Sequence, residues 1–346
     1  MIKKNLKDFS FSELDNLVSS IGEPSYRGKQ LKEWLYEKCC CSVDDMTNLS
    51  KKLREALSKD FIAEGHKIIE KQVSSDGTIK YLFGLSDSLS IETVYIPSAE
   101  RGTICVSTQV GCKFGCSFCA TGTQGFSRNL SLGEIINQFV TVKNDLAESG
   151  KGLLTNIVFM GMGEPLDNIE NLINAIEIFN SPDGFGISPR RITVSTVGIV
   201  PMLERLGDEG RGVNLAVSLH SADNEVRSKF MPINKRYSVE TLINALASYP
   251  LRPYRQITIE VALFNGLNDS TDDALKLARM LNRVKAKANL IPVNRVEGAR
   301  YEPSEMETVL AFQSVLKNEG ISVTIRKDRG GDIDAACGQL RSKHSD

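Results

Sequence analysis

A chain of 346 residues, 41% hydrophobic and 25% charged, has the make-up of an ordinary globular protein, and at roughly 150 residues per domain it has room for one large barrel with a small companion, or for two domains. The opening MIKKNLKDF has no apolar core and no run approaches roughly 18 apolar residues, so neither a secretion signal nor a membrane span is expected. A net charge of −1 gives no bulk sign of nucleic-acid binding, and eight cysteines without a secretion signal point to cytosolic thiols or metal ligands and not to a disulfide framework.

Residues 1–65 read as short helices, a small N-terminal accessory domain. Ser12 is placed to cap a helix that runs to about Ser20 and stops at Gly22. Leu31, Trp34 and Leu35 recur at helical spacing within 26–38, and Ser50 is placed to cap a third helix with Leu53, Leu57 and Phe61 on one face. Arg27, Lys29, Lys32 and Lys38 are diluted by Glu33 and Glu37, which suits a solvated face as well as an RNA contact. The adjacent Cys39, Cys40 and Cys41 cannot easily chelate one ion together and are read as incidental. Residues 66–102 form a β-rich extension: Asp76-Gly77 is a hairpin signal between two apolar runs, and SIETVYIP (90–97) reads as a strand.

From 103 onward strands and helices alternate. Strands are expected at 103–107, 155–160, 191–195, 213–219, 256–264, 287–293 and 321–326. Between them fall helices opened by the capping box Ser131-x2-Glu134, near 168–180 and 199–209, after Ser238, near 271–284, and after Ser304-x2-Glu307. About six such units imply a parallel sheet with right-handed crossovers. An α/β fold with an incomplete (β/α)6 barrel over 103–346 is preferred to a doubly wound sheet, because polar, glycine-containing motifs recur at the carboxyl ends of successive strands, where barrels keep their active sites.

The first of these motifs is QVGCKFGCSFCATGTQGF (109–126), with Cys112, Cys116 and Cys119 spaced C-x3-C-x2-C. Closely spaced thiolates hold zinc or an iron–sulfur cluster. A structural zinc site normally draws on two ligand pairs, and no second pair follows here. Three cysteines suit a [4Fe–4S] cluster with one iron left open for a substrate or cofactor. The spacing, with Phe118 before the last cysteine, resembles the signature of the radical S-adenosylmethionine (radical SAM) enzymes. Gly161-Met162-Gly163-Glu164-Pro165 follows the second strand. Its glycines permit close backbone approach and its carboxylate can accept from an ammonium group, and it resembles the motif that holds SAM's amino group in that superfamily. Ser195-Thr196-Val197-Gly198, Ser218-Leu219-His220 and Ile291-Pro292-Val293-Asn294 end later strands; each alone suits a cap or turn. Near the C-terminus, GGDIDAACGQL puts Cys337 between glycines, where a small buried residue is the plainer reading.

Taken together, SIETVYIP, TICVSTQVGCKFGCSFCATGTQGFSRNL, FMGMGEPLDN, ITVSTVGIVP, NLAVSLHSADNEVR, MPINKRY, NLIPVN and DIDAACGQL resemble the RlmN-type RNA adenine-C2 methyltransferases over about residues 20–341. The resemblance implies methylation of carbon 2 of an adenosine in large-subunit ribosomal RNA and of the adenosine 3′ to the anticodon in some transfer RNAs. It implies a [4Fe–4S] cluster on Cys112, Cys116 and Cys119, and two SAM molecules per turnover. SAM would be bound by Gly163, Glu164, Ser195, Ser218, Leu219, His220 and Asn294. Cys337 is implied as the cysteine that is itself methylated, Cys105 as the second catalytic cysteine, which releases product by forming a disulfide, and Glu92 as the proton acceptor. It also implies RNA docking by the N-terminal helices, an external one-electron donor, and a monomeric, cytoplasmic enzyme. The related adenine-C8 methyltransferases of the antibiotic-resistance branch share the cysteines, but GTQGF and GMGEPL look more like the C2 branch. A non-catalytic iron–sulfur RNA-binding factor would have no use for Cys105, Cys337 and Glu92.

Overall fold

Short turns and long helical crossovers divide one sheet into an antiparallel half and a parallel half. The chain's computed structural model describes residues 3–150, 152–293, 301–327, 329–336 and 338–340. It begins with β1 (Lys4–Asn5), α1 (Phe11–Ser20), α2 (Tyr26–Lys32) and α3 (Lys51–Asp60), after which β2 (Phe61–Ile62) pairs with β1. Then come β3 (Lys67–Val73), β4 (Ile79–Gly84), β5 (Ser90–Ser98) and β6 (Arg101–Cys105). The small hairpin of β7 (Gln109–Gly111) and β8 (Phe126–Asn129) encloses α4 (Ala120–Thr123). The remainder alternates as α5 (Leu132–Glu148), β9 (Asn156–Phe159), α6 (Ile169–Asn180), β10 (Ile192–Thr196), α7 (Val200–Glu209), β11 (Asn214–Ser218), α8 (Asn224–Phe230), α9 (Val239–Ala247), β12 (Ile257–Leu263), α10 (Thr271–Leu281), β13 (Ala286–Pro292), α11 (Met306–Asn318) and β14 (Val323–Ile325).

The large sheet has the order β14-β13-β12-β11-β10-β9-β6-β5-β4-β3. Tight turns, one of them at Asp76-Gly77, make β3 to β6 antiparallel. Helical crossovers make β6 and β9 to β14 parallel. The order has two ends, so the expected (β/α)6 barrel is open, with β14 as a further strand, and β3–β5 extend the same sheet. Residues paired across strands share a face. One face buries Ile157, Phe159, Ile192, Val194, Leu215, Val217, Ile257 and Ile259 in the core. The other carries Glu92, Cys105, Ser195, Ser218 and Glu260, as the pairings Val94↔Cys105, Cys105↔Val158, Thr193↔Val158, Ser195↔Ala216 and Ser218↔Glu260 require.

Ser131, Ser50 and Ser238 cap their helices as expected. Three local expectations are corrected. The first helix is capped by Ser10 and not Ser12: the Ser10 hydroxyl accepts from the Glu13 amide while the Glu13 carboxylate accepts from the Ser10 amide. The stretch 26–38 is an α-helix only to Lys32 and then widens into a π-helical turn over Glu33–Glu37. Ser304 does not cap α11, because its hydroxyl donates to Asp269 Oδ2 at 2.7 Å; Glu305 takes the cap position without a side-chain bond. Strand β6 also stops at Cys105, short of the expected Ser107, because the Ser107 backbone bonds a side chain instead of a strand.

That side chain is Gln138 of α5, which is fully buried. Its amide oxygen accepts from the Ser107 amide at 2.8 Å and the Thr93 hydroxyl at 2.7 Å, and its amide nitrogen donates to the Ser107 carbonyl at 2.9 Å. The Ser107 hydroxyl in turn donates to the Glu92 carbonyl and accepts from the Met162 amide. One glutamine therefore aligns β5, β6 and the turn after β9. Each buried partner left unmet costs about 1–3 kcal/mol, so Gln138→Leu is expected to lose about 3 kcal/mol or more of unfolding free energy, measured by urea titration.

Candidate active site

The carboxyl ends of the parallel strands surround a cavity of about 260 Å³. Cys112, Cys116 and Cys119 line it from the loop between β7 and β8. Gly111 must be glycine there: its φ is +75° and a Cβ would lie 2.0 Å from the Gly125 carbonyl oxygen. The loop is seated by the Ser117 amide, which donates to the Phe230 carbonyl at 3.0 Å, and by the Phe118 ring, 4.8 Å from His220 and 5.6 Å from Phe264 between centroids. Burial pushes the Cys112 thiol up to about 12 and raises Cys116 and Cys119 as well. Such thiols hold their protons at neutral pH unless a metal replaces them. Among the described residues no three His, Cys, Asp or Glu side chains converge to grip a single metal ion. Three soft donors on one cavity are a ligand set that suits an iron–sulfur cluster.

Gly163 and Glu164 follow β9. Gly163 has φ +96°, and a Cβ there would fall 2.4 Å from the Gln109 side chain. Glu164 is fully buried; its carboxylate accepts from the Val197 amide at 2.8 Å and the Leu166 amide at 3.0 Å. Burial outweighs these bonds and pushes its carboxyl up to about 7. Ser195 lines the wall and donates to Glu260 Oε2 at 3.0 Å, while Arg326 pairs with Glu260 Oε1 at 3.7 Å. Ser218 and His220 line it too. Leu219 is buried in the apolar core and offers its carbonyl to Arg227. Asn294 lies outside the described residues; Ile291, Pro292 and Val293 before it are on the cavity wall.

His220 adopts φ +58° and its Nδ1 accepts from the Ala262 amide at 2.9 Å, which fixes the Nε2–H tautomer. Burial, assisted by the Arg227 guanidinium, lowers its pKa to about 3.

The described residues of the C-terminal strap, Arg329–Ala336 and Gly338–Leu340, place Arg329, Ala335, Ala336, Gly338, Gln339 and Leu340 on the cavity wall. At one end the Gly330 amide donates to Asp76 Oδ2, the Ser75 amide to Asp332 Oδ2, and Lys80 Nζ to the Asp334 carbonyl. At the other end the Gly338 carbonyl accepts from the Ala120 amide at 2.7 Å and the Leu340 carbonyl from the Thr121 hydroxyl at 2.5 Å. Cys337 lies outside the described residues, but Ala336 and Gly338 on either side of it line the same cavity as the three loop cysteines. Cys105 and Glu92 are buried on the inner face of the sheet and are not among the large cavity's lining residues. Glu92 forms an ion pair with Lys80 at 3.4 Å.

The chain is similar to known proteins along nearly its whole length. Residues 4–62 match the ribosomal RNA large subunit methyltransferase N-terminal domain, and residues 106–278 the radical SAM superfamily. A crystallised radical SAM methyltransferase from Sphaerobacter thermophilus is 41% identical with a TM-score of 0.92, covering 98% of this chain and 99% of that one. The dual-specificity RNA methyltransferases RlmN of Syntrophobacter fumaroxidans and Solidesulfovibrio magneticus are 45% and 46% identical; each alignment covers 98% of this chain and 98% and 97% of theirs. The chain belongs to the RlmN family. It is a radical SAM methyltransferase, an enzyme whose superfamily works with a [4Fe–4S] cluster and SAM.

Glu260, Arg227 and Gln109 were not singled out by the sequence. Glu260 carried a signal, as the one charge in the strand QITIEVALF, at the inward-facing parity. Gln109 gave none; it accepts from the Glu164 amide and donates to Asp167 and Asn129, so it braces the Gly163–Glu164 turn against the cysteine hairpin.

The unfolded chain binds a proton on a histidine near pH 6.5, whereas folded His220 does so only near 3. The unfolded state therefore binds more protons in that window, and this group withdraws stability as pH falls from 6.5 towards 3. Between pH 8 and pH 5 the His220 ring resonances are expected to remain those of the neutral Nε2–H tautomer in ¹⁵N-histidine NMR.

Proposed function

We propose that this enzyme methylates carbon 2 of an adenosine in large-subunit ribosomal RNA and of the adenosine 3′ to the anticodon in transfer RNA. The observation that carries the reading is the convergence on one cavity of three thiols, the Gly163–Glu164 turn and both flanks of Cys337. The relatives' names as dual-specificity RNA methyltransferases support it.

Adenine C2 is electron-poor and does not attack a methyl sulfonium, so the methyl group needs a carrier. Cys337, as thiolate, takes a methyl from one SAM by displacement. Cys112, Cys116 and Cys119 hold the [4Fe–4S] cluster, which supplies the one-electron chemistry that turns a second SAM into a hydrogen-abstracting radical. Glu164 and the Gly163 backbone receive SAM's ammonium group, and Ser195, Ser218, His220 and Asn294 complete its pocket, with Leu219 behind them in the core. A neutral His220 can donate from Nε2 without adding charge beside the sulfonium. The methylene left on Cys337 bonds to C2. The C2 proton passes to Glu92 and one electron leaves the adduct, for which the cluster that Cys112, Cys116 and Cys119 would hold is the acceptor, and the aromatic ring is restored. The Cys105 thiolate then attacks the Cys337 sulfur. The methylene carbon leaves with the bonding pair and takes a proton to become the methyl group. The resulting disulfide is reduced by an external donor before the next cycle. The target base must leave its stack to reach the barrel mouth. The N-terminal helices of residues 1–65 serve as the RNA-docking domain beside the barrel of 103–346, and the enzyme works as a cytoplasmic monomer.

The test is anaerobic turnover of reconstituted protein with methyl-deuterated SAM, a reductant and a ribosomal RNA fragment, read by nucleoside mass spectrometry. A 2-methyladenosine that has lost one original C–D bond is expected. An 8-methyladenosine would move the enzyme to the resistance branch, and 5′-deoxyadenosine without a methylated base would exclude this RNA. Cys105→Ala is expected to stall with RNA covalently joined to Cys337, visible as a shifted band on a denaturing gel; normal turnover would remove Cys105 from the scheme.

A further inference from the structure

Lys80 is a buried cation that this scheme leaves without a role. Its side chain is 8% exposed, and that of its partner Glu92 is 5% exposed. Its Nζ stands 3.4 Å from Glu92 Oε1 and 3.3 Å from the carbonyl oxygen of Asp334. One ammonium therefore bridges the carboxylate of β5 and the backbone of the strap, three residues before Cys337. The registers Lys80↔Val94 and Val94↔Cys105 put Lys80 and Cys105 on one face of the sheet, and Leu82↔Glu92 sets Glu92 diagonally beside Lys80 on that face. Lys80 and Glu92 share with Glu70, Gln72 and Leu82 a space of about 10 Å³, barely what one water molecule needs. The other carboxylate there, Glu70, accepts from the Gln72 amide at 2.5 Å.

Stability alone does not account for this placement. Taking a lysine and a glutamate out of water costs several kcal/mol per ion, and apolar residues of the same volume often serve a fold as well or better. The strap already has two other anchors at this end, Gly330 on Asp76 and Asp332 on Ser75. What Lys80 adds is direction. Asp334 adopts a left-handed φ of +52°, a conformation that aspartate tolerates better than most residues, and in that conformation its carbonyl meets the ammonium. We infer that Lys80 is a positioning residue for the proton-accepting step: it fixes the Glu92 carboxylate against the strap that carries Cys337. This rests on the roles given to Glu92 and Cys337 above. The ammonium itself forms no bond to substrate and exchanges no electron; it ties the group that takes the C2 proton to the backbone of Asp334, three residues before Cys337 in the chain.

The experiment uses full-length, cluster-loaded Lys80→Met, Lys80→Arg and Glu92→Gln proteins with SAM, reductant and the RNA fragment. Three quantities are followed: methylated Cys337 by peptide mass spectrometry, covalent RNA–protein adduct on a denaturing gel, and free 2-methyladenosine. A general acid–base group is worth roughly 10²–10⁴ in rate, so misplacing one in Lys80→Met is expected to raise the ratio of adduct to free product at least about tenfold, with Lys80→Arg restoring most of the wild-type ratio. A structural role alone lowers methylated Cys337 and free product together and leaves that ratio unchanged; this result, or a wild-type ratio in a folded Lys80→Met, overturns the inference. Should Lys80→Met not fold, Lys80→Gln, which can still donate to the Asp334 carbonyl but has no charge, takes its place: a raised ratio supports the inference and an unchanged one overturns it. Glu92→Gln separates the two levels. If it turns over normally, the role of Glu92 fails and the inference falls with it. If it accumulates adduct while Lys80→Met does not, the role of Glu92 stands and only the inference about Lys80 fails.

Discussion

A guanidinium shielded from water holds the mouth of the barrel together. Arg227, 1% exposed, donates to the carbonyls of Val197, Ser218 and Leu219 and to Asn234 Oδ1, at 2.9–3.3 Å. These carbonyls belong to the ends of β10 and β11, where the strands diverge and their backbones run out of strand partners. A fork of fixed geometry satisfies several of them at once, which an ammonium on a flexible stem would do less well. Burial lowers its pKa, but only to about 10, with Cys116 opposing the shift, so it stays charged at neutral pH. This positive charge beside Cys116 is thus structural as well as electrostatic. It helps hold His220 neutral, and Cys116 lies within its field.

Burial sets the chemistry of the cavity more than any single partner does. It favours the neutral form of the cysteines, His220 and Glu164 on its wall: thiols keep their protons, His220 is uncharged, and the Glu164 carboxyl titrates near neutrality. A site poised in this way charges when its ligands arrive. Metal takes the place of thiol protons, and an ammonium beside Glu164 draws it into the carboxylate form. Binding of the metal and of a cationic cosubstrate should therefore each release protons, and each makes the surroundings more polar for the other. Such coupling suits an enzyme whose cosubstrate is held against its cluster.

Much of this was legible in the chain. The β/α alternation, the hairpin at Asp76-Gly77 and the Ser131 capping box depend on neighbours in sequence, and they fell within a residue or two of their expected bounds. What failed depended on partners far away. Ser304 is in the right place to cap α11, but Asp269 claims its hydroxyl from 35 residues off. The exception is local: Ser12 lies inside the first helix, and the reciprocal bond of Ser10 with Glu13, three residues on, makes Ser10 the cap. At the site, the cysteine spacing and the glycine turns could be read because their chemistry is local. Gln109, Gln138, Arg227 and Lys80 act across strands, and in sequence they are ordinary polar residues. Of the residues missed, Glu260 was the most accessible: a single carboxylate within an apolar strand must face either a partner or a cavity, and it faces Ser195 and Arg326.

The strap explains why the site needs two kinds of strand. In the proposed reaction the sulfur of Cys337 meets SAM's methyl group, the adenine ring and the Cys105 sulfur in turn. Two of these partners belong to the cavity at the parallel strand ends; Cys105 lies at the seam where the parallel half meets the antiparallel extension. The anchors on either side of position 337 are divided in the same way. Asp76, Ser75 and Lys80 hold one side to the extension, and Ala120 and Thr121 hold the other to the cysteine loop. A barrel of parallel strands alone would supply the second set and not the first, nor would it supply Glu92, which stands on β5. In that proposed reaction the antiparallel strands are part of the active site: they would carry its proton acceptor, Glu92, they complete the seam at which Cys105 lies, and they hold one end of the segment to which Cys337 belongs.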